Sequence, residues 1–262
     1  MQTGNEPSLS SSGDAPGLSS ATHHALRDAL RELRDDTLLP LDQGRAIWAV
    51  AQIGRTAVPP LLDVLSDASP TVRQRAAAAL GRIRDPQAVA GLLHALRDPD
   101  TRVRRTAAWA LGEIADERAV DGLLDALSDS QRLVRQRSAH ALGQIGDPRA
   151  VEGLLAALHD VSQHVHMAAA KALGQIRDRR AVPYLLDALR SSSADVRRLA
   201  AEALGRIRDE RAVEALISLL DDTASLYEPG RQKNRVCDFA ARALESIASP
   251  RAVAALSDWR RS

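Results

Sequence analysis

The sequence predicts an all-α fold, a solenoid of about seven helix pairs, and three observations carry that prediction. A Leu-Gly pair recurs at Leu80, Leu111, Leu142, Leu173 and Leu204, each 31 residues after the last. Each interval holds two short stretches with apolar residues at helical spacing, separated by a turn. Aromatic residues make up only 2% of the chain, so its core is built from Leu, Ala, Val and Ile, which suits close-packed helices better than strands. Helix pairs this short bury their apolar faces only when stacked on their neighbours, and a fixed period of this size is the mark of such stacking.

In chain order, residues 1–20 are rich in Ser, Gly and Pro and lack the basic start and apolar stretch of a signal peptide. They read as a disordered tail, which leaves 21–262 as the repeat domain. Residues 22–36 and 40–54 form a degenerate first pair. Repeats then fill 57–248, where an Ala-Val pair returns at Ala57, Ala88, Ala119, Ala150, Ala181 and Ala212 in steps of 31. The next copy, at Ala252, comes after 40 residues, so the last repeat carries an insertion, placed at 222–235. Residues 250–262, with Trp259, form a C-terminal cap.

Asp85–Ala115 shows how one unit works. Asp85 is placed to cap a first helix, with Pro86 at its first position, where a missing N–H costs nothing. Val89, Leu92, Leu93 and Leu96 share one face, and the Asp98-Pro99-Asp100 cluster ends the helix. Val103, Ala107, Leu111 and Ile114 form the apolar stripe of a second helix. A glycine inside that helix costs about 1 kcal/mol against alanine; its recurrence implies that a neighbouring helix needs the space.

The string VRxxAAxALGxI, preceded by AVxxLLxAL, resembles the HEAT-like repeats first noted in phycobilisome bilin lyases, over about Ala57 to Ala255. The resemblance implies a right-handed HEAT/armadillo-like superhelix whose second helices line the concave face. It also implies that Asp67, Asp98, Asp129, Asp160 and Asp222 pair with Arg73, Arg104, Arg135 and Arg197 in a ladder between repeats. The ladder pattern is interrupted at His166, Ser191 and Cys237.

Once the packing positions of the second helices are removed, a second stripe remains. Its central column reads Trp48, Ala78, Trp109, His140, Lys171, Glu202 and Arg242 and varies strongly. Exposed Trp beside Arg is a common composition of an interaction hot spot, although a Trp here could also cover the adjacent repeat. Eleven basic and four acidic residues fall on the stripe, a balance of +7 (11 − 4) in a chain of net charge +1. The expected function is therefore a protein-binding scaffold that grips an acidic or extended partner. The candidate contacts are Trp48, Arg75, Arg105, Trp109, Arg137, His140, Lys171, Glu202 and Arg242, with Tyr227 and Arg231 of the insertion as a second surface.

Catalytic apparatus is not evident. The seven histidines include no His-Glu dipeptide of the kind that supplies iron ligands in the HEAT-repeat enzyme deoxyhypusine hydroxylase. The single cysteine, Cys237, has no obvious base and cannot form an internal disulfide. No phosphate loop or nucleophile elbow occurs, and no cofactor or metal is expected. No apolar run reaches membrane-spanning length, so a soluble, cytoplasmic bacterial protein is expected. Two further readings remain. One is a subunit of a bilin lyase or isomerase, which rests on the repeat family's name. The other is nucleic-acid binding, as in HEAT-like alkylpurine glycosylases; the basic stripe permits it, and the overall charge and few aromatics weigh against it.

Overall fold

The computed structural model describes residues 20–35, 37–226 and 234–261. The tail expected at the start of the chain lies outside them, apart from Ser20, which opens the first helix. Seven helix pairs follow one another: α1 (Ser20–Leu33) with α2 (Pro40–Ile53), α3 (Val58–Val64) with α4 (Pro70–Ile83), α5 (Val89–Ala95) with α6 (Thr101–Ile114), and α7 (Val120–Asp125) with α8 (Arg132–Ile145). Then come α9 (Val151–Ala157) with α10 (Gln163–Ile176), α11 (Val182–Ala188) with α12 (Ala194–Ile207), and α13 (Val213–Ser218) with α14 (Val236–Ile247). The last helix, α15 (Pro250–Trp259), closes the stack, and the Trp259 indole donates to the Leu220 carbonyl. At the insertion, β1 (Ser225–Leu226) and β2 (Asn234–Arg235) pair antiparallel.

The first helices differ from the sequence expectation in their opening turn. Asp85 does cap a chain segment, accepting from the Gln87 N–H, but the segment is a 3-10 turn, Pro86–Ala88, which feeds α5. Asp116, Asp147, Asp178 and Asp209 cap the same turn in later repeats. The second helices are longer, and several end on a left-handed residue whose N–H bonds back to a leucine carbonyl. Arg84, Ala115, Arg177, Arg208 and Ala248 occupy that position without being glycine, although the conformation favours glycine.

Glycines set the spacing between repeats. A Cβ built on Gly81 would meet the Ala110 Cα at 2.8 Å, and one on Gly205 would meet the Ala243 Cα at 2.7 Å, so consecutive second helices touch backbone to backbone. The first helices are held apart by side chains: Gly91, Gly122 and Gly153 face the methyl ends of Leu62, Leu93 and Leu124. The row with the closer spacing lies on the inside of the curve, which makes α2, α4, α6, α8, α10, α12 and α14 the concave face. Between the two rows runs a continuous core in which Leu61, Leu92, Leu123, Leu154, Leu185 and Leu216 recur fully buried.

Two ladders of charge brace the stack. Arg73, Arg104, Arg135 and Arg197 each donate Nε to an aspartate of the next repeat, Asp98, Asp129, Asp160 and Asp222, all at 2.7 Å. The Nη1 group of each reaches back to two carbonyls of its own turn, as Arg104 does to Asp98 at 2.9 Å and Pro99 at 3.1 Å. Burial pushes the Asp129 carboxyl up, but the Arg104 guanidinium and the Gln131 N–H outweigh it and hold the group below the usual carboxylate range. The rung between α10 and α12 is missing because His166 and Ser191 stand at its two ends. A second ladder was not expected from the sequence. Arg118, Arg149, Arg180 and Arg211 each clamp the aspartate two residues before and donate to a carbonyl of the previous repeat.

Candidate functional site

The concave row gathers part of the predicted stripe into one groove. Arg137 and His140 on α8, Lys171 on α10, and Glu202 on α12 line a cavity of about 540 Å³, with His164, Met167, Arg198 and Arg206 among its other walls. The helical period places these side chains together: each lies on the turn facing away from the buried Val, Ala and Leu of its own helix. Arg137 and Lys171 are exposed, while His140 and Glu202 are half-buried. Four cations thus face one carboxylate. That carboxylate is already engaged, because Arg198 donates to Glu202 at 3.3 Å.

Electrostatics give His140 a distinct state. Burial, then the neighbouring Lys171 and Arg137 cations, hold its imidazole below the ordinary histidine value, and Glu113 offsets this in part. The ring is therefore neutral near pH 7 and able to donate or accept. Towards the C-terminal end, Arg198 and Arg242 flank the ring of Phe239, with guanidinium carbons 5.3 and 5.2 Å from its centroid. Such stacking presents an arginine in a fixed orientation and keeps its charge. Phe239 had no place in the sequence reading; its signal was the column it shares with Arg137.

Other predicted contacts are distributed differently. Trp48 on α2 is 61% exposed and Arg45 beside it is also exposed. Arg105 on α6 is half-buried. Arg75 is not on the open surface: it is 2% exposed, and its Nη1 donates to the carbonyls of Leu33 and Asp35 at 2.9 and 2.8 Å. It ties α4 to the end of α1, so it is withdrawn from the contact set. Trp109 is half-buried, sits where a Cβ on Gly81 would be, and carries the Arg82 guanidinium 5.6 Å from its ring centroid. It covers the preceding repeat, as the packing alternative anticipated. Tyr227 and Arg231 lie outside the described residues.

Cys237 is buried, and burial together with the Asp238 carboxylate raises its thiol above the ordinary cysteine value. The protonated form of such a thiol is a poor nucleophile. Among the described residues no three His, Cys, Asp or Glu side chains stand together as a metal site. No described helix is long and apolar enough to cross a membrane.

Residues 25–102, 89–165 and 151–227 match HEAT repeats. The chain belongs to the HEAT-repeat family. No curated protein matches it. Among solved structures, this HEAT-repeat chain is similar to the Escherichia coli protein YibA, at 18% identity over 97% of this chain and 100% of that one, with a TM-score of 0.65. The complex of CpcE and CpcF of phycocyanin lyase from Nostoc sp. PCC7120 matches at 22% identity over 97% and 99%, with a TM-score of 0.50. A designed armadillo repeat protein in complex with the peptide (KR)4 matches at 21% identity over 70% and 99%, with a TM-score of 0.53. At these identities the likeness shows the fold.

Proposed function

We propose that this HEAT-repeat solenoid is an interaction scaffold that holds an acidic, extended segment of a partner protein along its concave face. One observation carries the reading: Arg137, Lys171 and Arg206 converge with Arg198 on a groove whose single carboxylate, Glu202, is already bonded to Arg198. Exposed Trp48 and the Arg198–Phe239–Arg242 stack extend the surface towards its two ends. An extended segment suits it, since residues spaced along a strand can meet successive second helices. The designed armadillo protein is seen in complex with a basic peptide; the groove described here is itself basic, so it would repel such a peptide and favour an acidic one.

The test is fluorescence anisotropy with a labelled peptide of alternating Glu and Leu, beside (KR)4 and a DNA duplex as competitors. The acidic peptide is expected to bind in a salt-dependent way, and Arg137→Glu/Lys171→Glu should weaken it at least tenfold, about 1.4 kcal/mol. Tighter binding of (KR)4 or of DNA than of the acidic peptide would overturn the reading. The bilin-lyase reading has the likeness of fold to the CpcE–CpcF complex behind it and no residue of this groove.

A further inference from the structure

The junction between the fifth and sixth helix pairs breaks three repeat columns at once. His166 replaces the arginine of the first ladder, Ser191 replaces its aspartate, and Tyr184 stands where α5, α7 and α9 have Gly91, Gly122 and Gly153. All three line a single cavity of about 270 Å³, floored by Leu158 and Ala188. The equivalent crevice two repeats earlier includes Gly122 and Asp129, and there Asp129 is held by the chain's own Arg104. Substitutions scattered by drift would not be expected to meet at one junction.

In each intact rung a guanidinium finds acceptors on two sides, a carboxylate ahead and two carbonyls behind. At the broken rung the corresponding carbonyls belong to Asp160 and Val161, and neither accepts a hydrogen bond among the described residues. We propose that this junction is a binding site for a guanidinium group, an arginine side chain of a partner or free arginine, seated where the missing rung would lie. The two carbonyls, the Ser191 hydroxyl and the His166 imidazole supply acceptors, and the Tyr184 ring, 44% exposed, supplies a face for the cation. Burial, then His159, keeps the His166 imidazole below its ordinary value, so the ring is neutral and accepts. Asp187 adds a carboxylate at the rim, where Arg190 stands 3.9 Å from it. In the rung's absence the Gln163 amide bonds to the Ser193 hydroxyl across the junction, and the second ladder's Arg180 still reaches the Pro148 carbonyl at 3.0 Å.

The site is separate from the concave groove, so it stands or falls independently of the proposed scaffold function. Its test titrates the full chain with blocked arginine amide and blocked lysine amide, read on the His159 and Tyr184 proton resonances and on Tm. Arginine amide is expected to shift both resonances at millimolar concentration and to bind at least tenfold tighter than lysine amide. The double variant His166→Arg/Ser191→Asp supplies the guanidinium from within, so it should raise Tm and lose the response. Tyr184→Gly, which restores the common residue, should weaken binding severalfold. An equal response to lysine amide, a response that survives in the double variant, or no response to arginine amide would overturn the proposal. Free arginine serves as a further arm: tighter binding than the blocked amide assigns the site to the free amino acid, and equal binding assigns it to a side chain.

Discussion

The junctions from α3–α4 to α9–α10 and the junction from α9–α10 to α11–α12 are built from the same 31-residue unit and behave differently. In the first set each pair is fastened three ways: glycine against alanine between second helices, glycine against leucine between first helices, and an Arg–Asp rung between turns. At the second junction the glycine–leucine contact and the Arg–Asp rung are gone, and the contact between second helices through Gly174 and Ala203 remains, with the Arg180 tie to the Pro148 carbonyl. The comparison separates what holds the curve from what can be spared. Backbone contact on the inner row fixes the stack, and two of the outer fastenings can be given up where the chain has another use for the space.

The largest effect is expected from disturbing the inner row. Gly174→Val puts a branched side chain where even a Cβ lies 2.7 Å from the Ala203 Cα. It should cost about 3 kcal/mol by overpacking, against the roughly 0.5 kcal/mol that exchanging glycine for valine returns in a helix. Loss of the cooperative thermal transition would fit; an unchanged Tm would mean that the second helices do not set the spacing. Next is Arg104→Ala, which leaves Asp129, 11% exposed, without its partner and should cost about 2 kcal/mol in a urea melt. The same variant at position 166 has no rung to lose, so His166→Ala should cost far less.

Acid reads the ladder collectively. Asp98, Asp129, Asp160 and Asp222 have folded-state values below the ordinary carboxylate value. Their stabilisation is therefore complete above about pH 4, the unfolded value, and is lost as pH falls through the lower folded values. Arg104→Ala should flatten that acid limb. A smaller effect concerns the groove. Because burial and the Lys171 and Arg137 cations depress His140, an acidic partner that offsets those cations should bind more tightly as pH falls below about 6.5. Affinity that weakens over that range would count against an anionic occupant. The smallest change, Gly44→Ala, meets nothing within 4 Å and should stabilise by about 0.5–1 kcal/mol; the contrast with Gly174 isolates packing from propensity.

Much of this was legible in the sequence because the repeat reports its own geometry. The period gave the helix pairs, the valine and leucine columns gave the core, and the Asp and Arg columns gave the first ladder together with its break. The second ladder was legible too, as Asp-x-Arg at Asp116, Asp147, Asp178 and Asp209, and was overlooked because each pair looked like a simple cap. What resisted reading was contact with non-repeating parts. Arg75 shares a column with exposed Arg137, yet it is buried because the end of α1, which follows no repeat rule, lies over it. Trp109 looked free because its contact, Gly81, is defined by a missing side chain. The cavity at Tyr184 required knowing that three departures, 18 and 7 residues apart along the chain, face each other in space.

The glycine column also makes the concave face a ruler. Helices pressed backbone to backbone sit at the short end of the usual separation, about 8 Å, so the five glycine-set steps from α4 to α14 span roughly 40 Å. An extended chain advances about 3.3 Å per residue, and on the order of twelve residues would cover the row. Each second helix would then meet every second or third residue of its guest. Shortening a guest peptide should therefore lower affinity in steps, one for each helix it no longer reaches, rather than smoothly with length.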